Sequence, residues 1–227
     1  MKPGIVEHVD NWVKVRRALV SVWDKDGLDV LIPGLIDINP EIHFYSTGGT
    51  FSAIAGMLGP EKAARHLTAV ADYTGQPETQ GGLVKTLDFK IYLGLLTETY
   101  NPAHRADLER TGAVALDMVV GNLYPFEATA GRANVTVEEA RAHIDIGGPC
   151  MIRAAAKNYL RVAVVVDPAE YPALLASLRD RDGCLSLSRR FELARSAFAH
   201  TAAYDQAISD FLAEQEPQAA VSSYGLE

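Results

Sequence analysis

Cysteine is scarce in this sequence, because the 227 residues contain only Cys150 and Cys184. Two cysteines cannot form the disulfide framework of a small secreted domain, and these two lack the spacing of a metal site. The six histidines form no HxxxH or similar cluster. We therefore expect a fold without metal or disulfide staples, in a reducing and cytoplasmic setting.

Long apolar runs and an excess of positive charge are absent as well. No stretch of about 20 apolar residues could span a membrane, and no N-terminal segment is typical of a signal peptide. With 21 basic and 29 acidic residues, the formal net charge of -8 disfavours general nucleic-acid binding. An anionic ligand would have to be held by a few placed lysines, helix N-termini and backbone N–H groups.

What the sequence does contain is short apolar runs that alternate with helical patterns. Residues 18–23, 42–46, 116–122 and 162–166 are typical of buried strands, and residues 67–72 of a weaker one. Continuous apolar strands between helices predict an α/β fold with a doubly wound, mostly parallel sheet covered on both faces. Ligands of such sheets bind at the carboxyl ends of the strands, so the chemistry should follow each strand.

The domain organisation changes near residue 187. We expect one domain over residues 15–187, a C-terminal helical extension over residues 188–215 and a loose tail over residues 216–227. The extension carries an apolar stripe that includes Phe191 and Phe198. Such a stripe packs either on the parent domain or on a partner subunit.

Two segments after neighbouring strands suit a phosphate. Residues 21–25 read Ser-Val-Trp-Asp-Lys, and Lys25 would supply charge at a helix start. Residues 47–50 read Thr-Gly-Gly-Thr, where adjacent glycines allow an anion to approach the backbone. The plain alternatives are an Asp24 helix cap with a solvated Lys25, and an ordinary tight turn. Because both segments would face one rim, the two together are less easily dismissed as ordinary structure than either alone.

Lys85 and Tyr124 stand in two further candidate segments. Lys85 lies in the apolar run Gly-Gly-Leu-Val-Lys-Thr-Leu at 81–87, which predicts a partly desolvated lysine or a fixed cation near developing negative charge. A snorkelling lysine is the alternative. Residues 121–126 read Gly-Asn-Leu-Tyr-Pro-Phe, where Asn122 suits an amide edge and Tyr124 a hydrogen bond. A hydrophobic plug is the alternative there.

Asp145 stands between two isoleucines, directly before a Gly-Gly-Pro helix start. We expect a half-buried carboxylate, which needs partners. Arg153 and Lys157 follow on one face of that helix, four residues apart. Asp145 and Lys157 would then border one pocket, or Asp145 would form a structural ion pair with Arg153 or Lys157.

Taken together, these segments resemble the inosine monophosphate cyclohydrolase domain of the bifunctional purine-biosynthesis protein, which has a methylglyoxal-synthase-like fold. The resemblance covers about residues 17–209. The matching segments are 21–25, 48–50, 84–87, 122–126, 144–148, 153–158 and Phe-Ala-His-Thr-Ala-Ala-Tyr-Asp at 198–205. The resemblance implies that a formamidoimidazole carboxamide ribotide is closed to inosine monophosphate with loss of water, without a metal or cofactor.

The resemblance also implies which residues act. The catalytic set is Lys85, Tyr124, Asp145 and Lys157. The substrate-binding set is Ser21, Val22, Lys25, Thr47, Gly48, Gly49, Thr50, Thr86, Asn122, Ile146 and Gly147. Lys85 and nearby N–H groups would stabilise the oxyanion, while Asp145, with Lys157 and Tyr124, would move protons.

One segment departs from the family pattern. Where the family usually reads Arg-Val-Lys-Thr-Leu-His-Pro-Lys-Ile-His-Gly-Gly, this chain has Leu83 for the Arg, Asp88 for the first His and Phe89 for the Pro. It also has Tyr92 and Leu93 for the second His and the Gly that follows it. Leucine cannot replace the bidentate anion contact of an arginine. Trp23 also replaces a small residue, which narrows the rim of the pocket.

The family domain is usually joined to a formyltransferase, and only residues 205–227 follow Tyr204. We therefore expect a cyclohydrolase supplied by a separate formyltransferase, or one domain of a longer protein, and a homodimer formed through the apolar stripe. The alternatives are a nucleotide-sensing module and methylglyoxal synthase. The four catalytic matches favour an enzyme over a sensor, and residues 122–126 and 144–148 favour a ribotide over a triose.

Overall fold

The computed structural model describes residues 5–76 and 84–225. The strands are β1 (Trp12–Lys14), β2 (Arg17–Val20), β3 (His43–Ser46), β4 (Leu67–Ala69), β5 (Met118–Val120), β6 (Ala163–Val165) and β7 (Cys184–Ser186). The helices are α1 (Leu28–Ile38), α2 (Gly48–His66), α3 (Val70–Thr74), α4 (Phe89–Leu96), α5 (Pro102–Thr111), α6 (Phe126–Ala130), α7 (Val137–Ala142), α8 (Gly147–Lys157), α9 (Tyr171–Arg179), α10 (Leu187–Ala213) and α11 (Pro217–Ser222).

Five strands form one sheet in the order β4-β3-β2-β5-β6, and every neighbouring pair is parallel. The predicted α/β class with a parallel sheet is therefore confirmed. The four strongly apolar runs became β2, β3, β5 and β6, each shorter than its run. The weaker run became β4, an edge strand of three residues.

Alternation along each strand divides the interior into two layers. On β2, Ala18 and Val20 pack with α1 and α9, whereas Leu19 faces the opposite side. On β5, Val119 likewise faces away from its neighbours, towards α4, α8 and α10. Because successive side chains of a strand point to opposite faces, a strand buried on both sides must be apolar throughout.

Two features were not predicted. β1 pairs antiparallel with β7 in a separate two-stranded ribbon, with Trp12 opposite Ser186. In the segment expected as a loose tail, Pro217–Ser222 forms a short helix. α2 is also interrupted, because Gly59 has φ 71° and ψ 168°, directly before Pro60.

Within the two described ranges, no helix is both long and apolar enough to cross a membrane.

The long helix α10 packs on the parent domain through one face. Leu193, Ala194 and Ala197 are buried against the rest of the chain, whereas Phe191 and Phe198 are exposed. Arg190 anchors the start of the helix, since its guanidinium is 1% exposed. It donates to the carbonyl oxygens of Asp10, Asn11, Tyr159, Leu160 and Leu185. These bonds fix α10 across the domain, where its middle reaches the rim of the sheet.

Candidate active site

Three strand ends meet at one edge of the sheet. Val20, the last residue of β2, pairs with the last residues of β3 and of β5. The residues that follow these strands therefore share a rim, and Ser21 Oγ lies 3.0 Å from Thr47 Oγ1 across it. The strand order also reverses direction at β2. Open α/β sheets bind their ligands at such a reversal, outside the carboxyl ends of the strands.

The helix that follows β3 begins with two glycines. Gly48 has a φ of 47°, in the left-handed region, and a Cβ at this residue would lie 3.3 Å from Lys85 Nζ. The N–H groups of Gly48 and Gly49 occupy the first helical positions, where no intrahelical acceptor exists. They stand at the positive end of the α2 dipole and face the rim, an arrangement that suits an anion.

Thr50 shapes the loop that leaves β2. Its hydroxyl accepts the N–H of Val22 at 3.2 Å and donates to the Val22 carbonyl oxygen at 2.9 Å. The side chain is buried, with 4% of its surface exposed. Thr50 and Val22 therefore hold residues 21–25 against α2, and the hydroxyl is occupied by the backbone.

Two lysines border the same loop. Lys25 Nζ donates to the carbonyl oxygen of Trp23 at 3.1 Å, and its Cε lies 3.9 Å from the position of a Cβ on Gly49. Lys85 places its ammonium beside Gly48. Both side chains are exposed. The expectation of a desolvated Lys85 is therefore wrong, and its role as a cation near developing negative charge stays a prediction.

Asp145 lies directly before α8 and turns back onto that helix. Its Oδ1 accepts the N–H of Gly148 at 2.9 Å, and a Cβ at Gly148 would collide with Oδ2. Burial raises the pKa of Asp145, whereas the N–H groups of Gly148 and Gly147 and the charge of Lys85 offset part of that rise. Lys85 is thus close enough to act on the charge of Asp145, although the two form no ion pair among the described residues.

Tyr204, on α10, is a positioning residue that was not predicted individually. Its hydroxyl accepts the backbone N–H of Asp145 at 2.7 Å and lies 3.4 Å from the carbonyl oxygen of His143. The side chain is 8% exposed. Tyr204 belongs to the segment 198–205, which the resemblance singled out, so the signal was present without a role.

Asn122 holds the loop that carries Trp23. Its Oδ1 accepts the N–H groups of Trp23 at 2.7 Å and of Asp24 at 2.9 Å, and its Nδ2 donates to the Asp24 carbonyl oxygen at 2.9 Å. The amide that was expected to contact a ligand edge is therefore occupied by the backbone. Asp24 Oδ1 accepts the N–H of Asp26, so Asp24 closes a local turn and does not cap α1.

Tyr124, Ile146 and Thr86 complete the rim. The Tyr124 ring is 46% exposed, and Ile146, at the start of α8, is 59% exposed. Thr86 is buried, and its Oγ1 lies 3.0 Å from the position of a Cβ on Gly147. The alternative of a hydrophobic plug at residues 124–126 holds only for Phe126, which is buried, while Tyr124 faces solvent.

Lys157 does not join this group. It is exposed and ends α8, ten residues after Gly147, and a helical rise of 1.5 Å per residue separates the two ends by about 15 Å. Arg153 lies over the Phe198 ring at 5.5 Å. Among the ion pairs of the described residues, neither Arg153 nor Lys157 is paired with Asp145. The alternative of a structural ion pair is therefore wrong.

The segment that departs from the family pattern lies partly outside the described residues. Gly81, Gly82 and Leu83 fall there, so the consequence of the leucine stays a prediction. Asp88, in place of the histidine, is the N-cap of α4 and accepts the N–H of Lys90 at 2.8 Å. A carboxylate at this position stabilises the start of a helix, and thus gives the substitution a local structural role.

Comparison with known proteins extends along nearly the whole chain. Residues 155–226 match the family described as AICARFT/IMPCHase bienzyme. Bifunctional purine biosynthesis proteins PurH are 46% identical over 198 residues in Neisseria meningitidis serogroup A, and 48% identical over 210 residues in Sorangium cellulosum. These alignments cover 87% and 91% of this chain, but 36% and 38% of the relatives. The chain therefore spans about a third of the length of the curated relatives that it matches.

A solved structure matches the fold. The crystal structure of ForH superposes with a TM-score of 0.69 at 28% sequence identity, and the match covers 87% of this chain and 98% of that one. Together with the sequence matches, it confirms the resemblance that the motifs of the rim indicated.

Proposed function

Because this chain is a relative of the bifunctional purine biosynthesis proteins over most of its own length, we propose that it acts in purine biosynthesis as an inosine monophosphate cyclohydrolase. In that reaction the carboxamide nitrogen of the formylated ribotide attacks the formyl carbon and gives a tetrahedral oxyanion. Loss of water then completes the purine ring. An amide nitrogen is a poor nucleophile, so orientation of the two groups must supply much of the acceleration.

The phosphate of the ribotide is assigned to the start of α2. The N–H groups of Gly48 and Gly49, the hydroxyls of Ser21 and Thr47 and the charge of Lys25 converge there. Helix N-termini favour anions through their dipole and their N–H groups without intrahelical partners. With these donors, a chain of net charge -8 holds a phosphate without a basic surface.

The observation that carries the proposal is that Lys85 stands beside Gly48 of this cradle and is close enough for its charge to lower the pKa of the half-buried Asp145. Lys85 is the cation that stabilises the oxyanion, and Asp145 accepts the proton of the attacking nitrogen and passes it towards the departing hydroxyl. A carboxylate whose pKa is raised by burial is a better base than an ordinary one, because its proton affinity is closer to the operating pH. Tyr124 lies on the same rim and assists the proton transfer.

Lys157 requires a second chain if it acts on the reaction. Within one chain it lies about 15 Å of helix away from the start of α8, and it is exposed. We propose a homodimer in which Lys157 reaches the site of its partner. Arg153, one helical turn before Lys157, lies over the ring of Phe198. The exposed Phe198 supplies an apolar contact for such an interface.

The formyl group has to be added before ring closure. The relatives named above are bifunctional, and this chain covers about a third of their length. We propose that a formyltransferase outside the 227 residues supplies the formylated ribotide.

A direct assay tests the reaction. The purified chain is mixed with the formylated ribotide, and inosine monophosphate is followed by its ultraviolet absorbance. We expect turnover well above the spontaneous rate, and a loss of about 10²-fold or more in Lys85→Ala and in Asp145→Asn. Lys62→Ala and Asp37→Asn, on exposed helical positions, serve as matched controls. Turnover retained in both site variants would overturn the assignment, and tight nucleotide binding without turnover would indicate a sensing module.

A further inference from the structure

An aromatic pair stands beside the phosphate cradle. The rings of Trp23 and Tyr124 meet edge to face, with centroids 6.3 Å apart and an angle of 60° between the planes. Trp23 is 48% exposed and Tyr124 is 46% exposed, so each ring keeps part of its surface open to solvent. Exposure of aromatic rings to water costs free energy, and an indole and a phenol ring in contact at a ligand rim indicate a binding surface.

The pair is held in place before any ligand arrives. Asn122 accepts the N–H of Trp23 at 2.7 Å, and Lys25 donates to its carbonyl oxygen at 3.1 Å. Both polar groups of the Trp23 backbone are therefore fixed, while its ring projects outward. A ring on a fixed backbone loses little conformational entropy when a ligand stacks on it, which favours binding.

The distance from the cradle fits a nucleotide. Trp23 is two residues from Ser21 and two from Lys25, and an extended chain spans at most about 7 Å over that interval. This is comparable to the reach of a ribose between its phosphate and its base. A phosphate held by Ser21 and Lys25 thus brings the base of the same ligand to the aromatic pair.

From this arrangement we infer that Trp23, supported edge-on by Tyr124, is the stacking surface for the planar base of the ribotide. Trp23 is then a specificity-determining residue that selects ligands carrying an aromatic heterocycle over sugar phosphates that lack one. Every base presents a flat π-face, and stacking on an aromatic side chain exploits that face without hydrogen bonds. The inference deepens the proposed function and rests on it for the identity of the base.

The chain offers a clean optical test, because Trp12 and Trp23 are its two tryptophans. Trp12 lies on β1 under the guanidinium of Arg181, 4.8 Å from its ring centroid. Trp12→Phe leaves Trp23 as the sole tryptophan emitter. We expect inosine monophosphate to quench that emission with saturation. Ribose 5-phosphate, which carries the phosphate but no base, should displace the bound inosine monophosphate and cause no quenching of its own.

Affinity measured by calorimetry provides the second readout. We expect Trp23→Ala to weaken inosine monophosphate about tenfold or more, Trp23→Phe to weaken it less than about threefold, and both to bind ribose 5-phosphate like the parent. Equal affinity of Trp23→Ala and Trp23→Phe for inosine monophosphate would overturn the inference, as would a parallel loss of ribose 5-phosphate.

The two proposals fail separately. If the protein closes the ring but inosine monophosphate leaves Trp23 emission unchanged, the stacking role is wrong and the reaction stands. If emission is quenched but the formylated ribotide is not turned over, the pair binds a base and the cyclohydrolase assignment is wrong.

Discussion

The carboxylate of Asp145 accepts the backbone N–H of Gly148 at 2.9 Å, so the proposed proton carrier also closes the first turn of α8. Burial makes the ionised form of this carboxylate less stable and thereby raises its pKa. A proton carrier of this kind must keep its position, and its ionised form must be unfavourable enough that it accepts a proton. Its removal should therefore separate stability from activity.

Replacement of Asp145 by Asn should abolish turnover while stabilising the fold at neutral pH. Asn keeps an oxygen for Gly148 but carries no charge to be buried. Because the folded pKa of Asp145 is raised, its contribution to stability is complete below the unfolded pKa and is lost as the pH rises through the folded pKa. Thermal unfolding should show a higher midpoint for the variant at pH 7, by about 2–4 °C for each kcal/mol.

That stability difference should vanish in acid, where the wild-type carboxyl is protonated. Asp37→Asn, at an exposed helical position, is the control and should show no such pH dependence. A variant that is less stable than the wild type at pH 7 would contradict the burial cost assigned to Asp145.

Removal of the charge of Lys85 should move the acidic limb of the pH–rate profile. The ammonium lowers the pKa of Asp145, so without it that pKa rises further. Since the reaction needs the ionised carboxylate, the residual kcat/KM of Lys85→Met should fall off at a higher pH than that of the wild type. Lys85→Arg keeps the charge and should keep the limb in place. If the acidic limb of Lys85→Met moves to lower pH or stays fixed, the charge of Lys85 does not act on the group that Asp145 contributes to the reaction.

Lys157 should act across the proposed dimer. Alone, Lys85→Ala and Lys157→Ala should each be nearly inactive. Co-expressed, they form mixed dimers in which one of the two sites takes an intact Lys85 from one chain and an intact Lys157 from the other, so about a quarter of the wild-type rate per chain should return. No recovery, in dimers whose mixed composition is verified by mass spectrometry, would place the action of Lys157 within its own chain, and an active Lys157→Ala alone would place it outside the reaction.

Gly48→Ala should weaken the phosphate site. The residue has a φ of 47°, and a Cβ would lie 3.3 Å from Lys85 Nζ. The left-handed conformation costs an alanine about 1 kcal/mol, and the added methyl disturbs the cradle, so KM should rise about tenfold while kcat changes less. Gly56→Ala is the matched control on the same helix, because its Cβ would meet no atom within 4 Å. It should stabilise the protein by about 0.5–1 kcal/mol.

Much of the sheet could be predicted from the sequence because its strands are buried on both faces. Residues 162–166, for example, are continuously apolar, and Val164 and Val165 face opposite layers. The rim also followed, since parallel strands present their carboxyl ends together. The β1–β7 ribbon could not be predicted, because it joins three-residue strands that are more than 160 residues apart and has no local signal.

The site was predicted less completely, for identifiable reasons. The bond between Tyr204 and Asp145 spans 59 residues and depends on the packing of α10, which no spacing encodes. The ion pair that the sequence left open as an alternative for Asp145 did not form, and its carboxylate instead accepts an N–H group at the start of its own helix. The remoteness of Lys157, in contrast, follows from helical rise alone and was accessible from the sequence.

The side chain of Asn122 has a consequence for the order of assembly. It fixes the backbone of residues 23–24, which precede it by 98 residues or more. During synthesis from the N-terminus, β2, β3 and the start of α2 leave the ribosome long before β5 does. Ser21 of the phosphate cradle also donates its backbone N–H to the carbonyl oxygen of Val120, on β5, so the cradle and the indole beside it are both completed only once the fifth strand of the chain docks beside β2.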